Sequence, residues 1–373
     1  MKKERPSIMS LSCQNPDCQA HQQPNQNNLT IRKTYGLEKI RYLRCQTCGF
    51  EFSERKNTAL WNLKISEATM PVGAFYGQEA RAVQIADCLS DKNSLKAVVR
   101  ITKTDKTTVK RLRTQLGKQA KGIHDRLVQN LKCKVVEFDE RYGFAVSKDQ
   151  AVWEGTAVDA LTKLTVSLRV GRRDELMAKE LMQDVHARMN KHDDLLVISD
   201  GFISYQTSFP EVFGRDYKVK TKSGRTKTIK RIPLGVAHAV VKKEYNGKRL
   251  IGVKTMIAYG TKKCVAKGLK RMGDEKINTS TIERSNLTNR SMNAYQVRRS
   301  SAFARRVESR FSLAWWVTTV LNFSRVSRGL RVKLEKLVGR RLYQDRTPAM
   351  AAGIADCMWG TLELLRFAVG ARG

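Results

Sequence analysis

Hydrophobic positions along the chain change period near residue 133. From Gln78 to Asn130 apolar residues recur at helical spacing. Ser94-Leu-Lys-Ala-Val-Val-Arg-Ile predicts a short amphipathic helix, a turn follows at Thr102-Lys-Thr, and Asp105 caps a second helix with Val109, Leu112 and Leu116 on one face. Cys133-Lys-Val-Val-Glu-Phe-Asp139 then predicts a strand ending in a carboxylate, with Ala151 to Val158 and Leu164 to Val170 as the next two strands of a meander. Asp174 opens a helix to about Asn190, with Leu176, Leu181 and Val185 inward. Asp194-Leu-Leu-Val-Ile-Ser-Asp200-Gly201 is an uninterrupted apolar run, the mark of a strand covered on both faces. Val236 to Lys243 and Arg249 to Tyr259 flank Asn246-Gly247, a hairpin turn signal. Helices are predicted over Lys262 to Met272, from Ser280 onward, and over Ser301 to Val326, where Phe303, Val307, Phe311, Trp315 and Leu321 have core spacing. The tail from Leu330 is basic to Arg346, then compact and apolar.

Composition adds a partner. The chain of 373 residues has 70 Lys+Arg against 35 Asp+Glu, a formal charge of +35. Such an excess fits a polyanion better than a small metabolite, with double-stranded DNA the expected partner and an anionic membrane surface its rival. Phe311 to Phe323, the longest apolar run, is shorter than the about 20 residues a membrane span needs. The amino terminus leads into no apolar signal region, so the expectation is a cytoplasmic, nucleoid-associated protein without membrane partners. Lys106, Thr107, Lys110, Arg111 and Arg113 occupy the polar side of the second helix. That is helix-turn-helix spacing suited to a DNA major groove; a plain structural helix pair is the other reading. Arg215 to Arg231 holds eight Lys/Arg against Asp216 alone. It is either a solvated loop or an arm along DNA, with Lys220, Lys222 and Arg225 as phosphate contacts.

Two close cysteine pairs, Cys13-x4-Cys18 and Cys45-x2-Cys48-Gly49, bracket a Gln/Asn-rich insert. Structural Zn²⁺ takes four soft ligands in a tetrahedron, and the second pair lies between two alternating strands. Residues 12–53 therefore predict a zinc ribbon, with His21 an alternative to one cysteine of the first pair. Cys88, Cys133, Cys264 and Cys357 are scattered singly, as ordinary buried thiols are.

Carboxylates supply the candidate chemistry. In Ile277-Asn-Thr-Ser-Thr-Ile-Glu-Arg-Ser-Asn-Leu-Thr-Asn-Arg290, the residues Glu283, Asn286 and Arg290 fall on one helical face. They can meet a metal ion, a base or ribose edge, and a phosphate. Ser280-x-x-Glu283 is also a capping box, which would make Glu283 structural. Asp139 and Asp200 end separate strands, and the order β-β-β-α-β from 133 to 200 matches the start of a ribonuclease H-like fold, whose open sheet binds ligands beyond its strand ends. Three carboxylates are a minimal set for Mg²⁺ or Mn²⁺ in phosphodiester chemistry, where paired metals sit about 3.5–4 Å apart. Glu140 should point to the face opposite Asp139, so only one of the two can serve. Asp159, Asp216 and Asp274 end no clear apolar strand. The five histidines are dispersed, and no Gly-rich phosphate loop is present, so no nucleotide cofactor is expected.

With these residues in hand, the chain resembles the DDE transposases of bacterial insertion sequences, the group with an amino-terminal zinc ribbon and helix-turn-helix. The resemblance covers nearly the whole length. Its carriers are Arg44-Cys-Gln-Thr-Cys-Gly-Phe-Glu-Phe-Ser53, Asn93-Ser-Leu-Lys to Gln115-Leu-Gly117, Phe138-Asp-Glu140, Ser199-Asp-Gly201, Ile277 to Arg290 and Arg346-Thr-Pro-Ala-Met-Ala-Ala-Gly353. After Glu140, Arg-Tyr-Gly-Phe departs from the aromatic-hydrophobic run of that group. The resemblance implies a multidomain chain: zinc ribbon (1–56), helix-turn-helix domain (57–131), α/β RNase H-like catalytic domain with a basic and β-hairpin insertion (132–328), and a basic then helical tail (329–373). It implies that Asp139, Asp200 and Glu283 bind Mg²⁺, that Asn286 supports them, and that terminal inverted repeats and target DNA are the partners of a homodimer or higher assembly. The implied reaction is cleavage at element ends, then attack of the freed 3′-hydroxyl on target DNA. A DNA-binding repressor, a dead copy of such an enzyme, or an endonuclease that never joins ends are the competing readings.

Overall fold

The structure, a computed structural model, describes residues 6–36, 38–65, 68–72, 75–190, 193–220, 225–247, 249–297, 302–338 and 341–369. It is a mixed α/β protein with several sheets. Strands β1 (Leu29–Tyr35), β2 (Ile40–Cys45) and β3 (Glu51–Ser53) form an antiparallel sheet around the paired cysteines. The Gln/Asn-rich insert thus ends in a strand that its polar composition concealed. In the connector, β4 (Ala68–Val72) pairs with β5 (Phe75–Tyr76) before α1 (Gly77–Leu89).

Helices α2 (Leu95–Thr102) and α3 (Lys106–Leu127) follow. Ser94 caps α2 by accepting the Ala97 N–H at 3.2 Å, and Asp105 caps α3 through Thr107 and Thr108. Lys103 makes the turn between them in the left-handed region, φ 51°. Val109, Leu112 and Leu116 are fully buried, as their spacing predicts.

The central sheet comes next. Its strands are β6 (Val135–Arg141), β7 (Trp153–Asp159), β8 (Thr165–Gly171) and β9 (Leu195–Asp200), with α4 (Glu175–Arg188) between the last two. Beyond β9 run α5 (Ile203–Phe213), the hairpin β10 (Arg215–Lys220) and β11 (Thr226–Arg231), then β12 (Val236–Asn246) and β13 (Arg249–Tyr259). The six strands are ordered β13-β12-β9-β6-β7-β8. β9 is parallel to both β6 and β12, and the other neighbours are antiparallel. Helices α6 (Lys262–Met272), α7 (Ser280–Met292) and α8 (Val307–Phe323) lead to the hairpin β14 (Val332–Val338) and β15 (Arg341–Gln344), then α9 (Pro348–Ala351) and α10 (Thr361–Arg366).

Several expectations are corrected here. Leu176 is exposed because it sits in the first turn of α4, and Met177 takes the inward position. α5 was concealed by Pro210 inside it. The basic stretch is a paired hairpin: Lys218 and Lys220 alternate with Tyr217 and Val219 at strand period in β10, and Tyr217 stands opposite Ile229 of β11. Lys222 lies outside the described residues. α8 starts only at Val307: Ala304 bridges to Ala145, so the chain before it is extended, and Phe303 stacks on Phe144 instead of joining a helix. Of the single cysteines, Cys357 is exposed and Cys88 and Cys264 are half-buried; only Cys133 is buried.

The core does not break at the boundary expected near residue 131. One apolar cluster joins Ile85, Leu112 and Ile123 of the helices to Phe138 and Val197 of the sheet and to Trp315 and Trp316 of α8. α3 and α8 approach so closely at Gly117 that a Cβ there would stand 2.3 Å from Ser312 Cα. Overpacking against backbone costs about 1–3 kcal/mol or more, against the roughly 1 kcal/mol that Ala gains over Gly as a helix former. Gly117→Ala is therefore expected to lower the melting temperature; a rise would show that the helices separate freely.

Candidate metal centres

At the amino terminus, the Sγ atoms of Cys13, Cys18, Cys45 and Cys48 all lie within 4.8 Å of one another. Cys13 and Cys48 are 3.7 Å apart and Cys18 and Cys45 3.9 Å. A tetrahedron with metal–sulfur bonds of about 2.3 Å has edges of about 3.8 Å, whereas a disulfide would close to about 2.05 Å. The four thiols can thus hold a metal such as zinc. Gly49, at φ 72°, makes the turn that brings Cys48 back to the others. Asn28 Nδ2 donates to Cys45 Sγ at 3.4 Å and the Asn15 N–H to Cys13 Sγ at 3.5 Å, favouring thiolate. His21 is no substitute ligand: its ring nitrogens meet the Cys13 carbonyl and the Gln22 amide.

The second centre is built on β6 and β9. Phe138 pairs with Ser199 in parallel register, which puts Asp139 and Asp200 next to each other at the carboxyl ends of adjoining strands. Leu195, Leu196, Val197 and Ile198 anchor β9, each at most 2% exposed. Asp200 Oδ1 accepts the Phe202 N–H at 3.0 Å, which fixes the turn into α5. An open cavity of about 580 Å³ lies above, lined by Asp139, Asp200, Glu283, Lys243 and Arg173 among others.

Glu283 reaches it from α7, and Asn286, on the same helix, lies buried beneath against Asp139. The capping-box reading of Ser280 fails: Thr279 is the residue before the helix, Asn278 Oδ1 accepts the Ser280 N–H at 3.0 Å, and Glu137 Oε2 of β6 accepts the Ile282 N–H at 2.7 Å. Glu283 is left free to face the cavity, where its Oε1 accepts from Lys243 Nζ at 2.5 Å and Thr279 Oγ1 at 2.7 Å. Burial pushes the Glu283 carboxyl up, but these two hydrogen bonds outweigh it and hold it below its ordinary range. Asn286 is buried and donates from Nδ2 to Asp139 Oδ2 at 2.6 Å. Arg141 donates to Asn286 Oδ1 at 3.1 Å, and a guanidinium can only donate, so the amide is locked with its NH₂ toward Asp139. Behind it, Arg141 and Arg310 grip Glu154 at 3.1 and 2.9 Å, all three side chains at most 2% exposed.

Glu140 corrects the sequence reading. It leaves β6 on the other face, yet its carboxylate lies within 4.8 Å of those of Asp139 and Asp200. Burial first, and then the Asp200 charge, push Asp139 up to about 6 and Glu140 up to about 7. Arg173 is the cation they share, donating to Glu140 Oε2 at 3.0 Å and to Asp200 Oδ2 at 3.4 Å while lying on the Phe202 ring. Sequence reasoning missed Glu140, Arg173, Lys243, Arg141 and Glu154. A signal existed for two: Arg141 shares a strand face with Asp139, and Arg141 and Glu154 are cross-strand partners.

Glu137 gives the site a pH signature. Burial pushes its carboxyl up to about 7. A carboxyl whose folded value exceeds its unfolded one contributes stability that is full below the unfolded value and lost as pH rises through the folded value. Asp139 and Glu140 act in the same sense. The metal-free protein should therefore melt at progressively lower temperature from about pH 4 to about pH 7, and Glu137→Gln should show a shallower fall. Equal slopes would mean that Glu137 does not titrate there.

The expected DNA contacts divide. Lys106, Thr107, Lys110 and Arg111 are exposed at the amino-terminal end of α3. Arg113 is not among them: it is buried and donates to Tyr295 Oη at 2.5 Å and Ser309 Oγ at 2.6 Å. Lys220 and Arg225 are exposed on the basic hairpin. Arg290 is half-buried in the last turn of α7. No helix among the described residues is long and apolar enough to cross a membrane. No protein-family model matches the chain, and no curated protein sequence matches it significantly.

Proposed function

We propose that this protein cuts and joins DNA strands as a DDE-type transposase, with Asp139, Asp200 and Glu283 as its metal-binding acids. The observation that carries the reading is the meeting of Asp139 and Asp200 at adjoining parallel strand ends, with Glu283 of α7 lining the same cavity. The strand order β8-β7-β6-β9-β12 supports an RNase H-like unit extended by β13. The capped pair α2 and α3 supports a helix-turn-helix, and the four-cysteine sheet supports a zinc ribbon.

Asp139 and Asp200 suit hard divalent cations: their converging carboxylate oxygens, with Glu283 lining the same cavity, offer what Mg²⁺ or Mn²⁺ prefers. Bound there, such ions supply positive charge to the attacking and leaving oxygens of an in-line phosphoryl transfer. The chain's own residues prepare that site. Asn286 fixes the Asp139 carboxylate, and Arg141 fixes Asn286. Lys243 covers Glu283 and lies beside the entry for a phosphate backbone. The hairpin β10–β11 and the end of α3 provide the positive surface that DNA requires.

A strand-transfer assay tests this: purified protein, Mg²⁺, a labelled duplex carrying the sequences that flank the gene, and a plasmid target. Joined products that vanish with Glu283→Gln are expected. Binding without cutting, in Mg²⁺ and Mn²⁺ alike, would favour a repressor or a dead copy, and cutting without joining an endonuclease.

A further inference from the structure

Neighbouring residues of a strand leave on opposite faces, and Glu140 and Asp139 do so. The end of β9 is what reunites them. β9 stops at Asp200 while β6 runs on to Arg141, so past the Phe138–Ser199 pair the edge of β6 on that side is unpaired. Side chains from both faces of β6 can converge in the notch this leaves. Carboxylate oxygens of Asp139, Glu140 and Asp200 come within 4.8 Å of one another there. The Glu140 side chain is only 2% exposed. Arg173 and the Tyr205 hydroxyl stabilise its carboxylate, yet Oε1 is buried without a hydrogen-bond partner. A buried, unpaired charged acceptor is costly, and a cation in the notch would remove that cost. Glu283 is not in this cluster; its Oε1 is held by Lys243 and Thr279.

We infer that Glu140 is a metal ligand, and that Asp139, Glu140 and Asp200 form a divalent-cation site that fills without Glu283. The inference rests on the proposed function, in which Asp139 and Asp200 hold metal, and adds both a ligand and an order of filling. An all-oxygen triad selects Mg²⁺ or Mn²⁺ over softer ions. Arg173, resting on Phe202, is the charge that an arriving cation takes over from.

Mn²⁺ titration of the full-length, zinc-loaded protein without DNA, with free Mn²⁺ read by electron paramagnetic resonance, tests it. The wild type and Glu283→Gln should bind a first Mn²⁺ with the same affinity. Glu140→Gln should bind it at least about tenfold more weakly, since even outer partners of ligands are worth about 10–100-fold. Unchanged affinity in a folded Glu140→Gln overturns the inference, as does a wild type that binds no Mn²⁺ or a Glu283→Gln that loses it. Should Glu140→Gln not fold, Glu140→Asp decides: it keeps the charge but withdraws it by one methylene, and wild-type affinity there overturns the inference equally. Failure of the parent reading looks different. Mn²⁺ weakened by Glu140→Gln, with no DNA cut by the wild type, would leave the cation site and remove transposition. DNA cut in Mg²⁺ with metal affinity unmoved by Glu140→Gln would do the reverse.

Discussion

Replacing Asp200 by Asn should slow DNA cleavage and joining by about 10³-fold or more, with little change in DNA binding. Asn matches Asp in shape, and its carbonyl can still accept the Phe202 N–H that Asp200 Oδ1 accepts at 3.0 Å, so the turn into α5 survives. What disappears is the negative charge beside Asp139 and Glu140. Metal-borne charge stabilisation in a phosphoryl transfer is worth several kcal/mol, and each 1.36 kcal/mol is tenfold in rate, which sets the scale at about 10³. DNA affinity depends on phosphate contacts from lysines and arginines, and the removal of one acid does not weaken those. Gel assays of cleavage beside binding titrations at fixed salt separate the two effects. Wild-type cleavage by Asp200→Asn would take this residue out of the site.

Removing a metal held by the four cysteines should unfold the amino-terminal sheet and spare the rest. The sheet's own apolar cluster is small: Cys13, Cys18, Ala20, Leu29, Leu43, Cys45 and Phe52, with a few partly buried neighbours. Units of about 40 residues or fewer seldom fold on such a core without a metal or disulfides. Structural zinc supplies apparent binding energies of about 10–16 kcal/mol at neutral pH, all of it available to folding. Cys45→Ser, at a fully buried position, should release the metal and weaken binding to specific DNA ends. Hydrogen exchange is the measurement: amides of β1, β2 and β3 should lose protection while those of β6 and β9 keep theirs. Protection retained in β1–β3 after metal loss would show that packing alone holds the sheet.

The parts of this fold legible in the sequence are those whose cause is local. The apolar run before Asp200 could be nothing but a covered strand, and Asn246-Gly247 turns its hairpin with Gly247 at φ 58°. Ser94 and Asp105 cap the helices they precede. What escaped has non-local causes. Ser280-x-x-Glu283 has the form of a capping box, but the first-turn N–H groups of α7 go to Asn278 and to Glu137, the latter 145 residues from the Ile282 N–H it accepts. Arg113 flanks the apolar stripe of α3 and reads as exposed; it is buried because Tyr295 and Ser309 close over it. Strand alternation placed Glu140 away from Asp139 correctly by face, and failed because alternation says nothing of where the neighbouring strand stops. The alternation of Lys218 and Lys220 with Tyr217 and Val219 in β10 was masked by the charge of the stretch.

The burial of α3 on α8 has a consequence for how such a molecule can change over time. Recognition modules are often exchanged as cassettes, each folding apart from the machinery it serves. Here the exposed first turns of α3 are the tip of a rod of about 33 Å whose inner face is shared interior along the rest of its length, clamped by Gly117 on Ser312 and by Arg113 on Tyr295. A transplanted helix would have to bring the same inner face or forfeit the core. Variation in what the tip touches is therefore confined to its outer side chains, Lys106, Thr107 and Lys110 among them, while the distance from that tip to the acids is inherited unchanged.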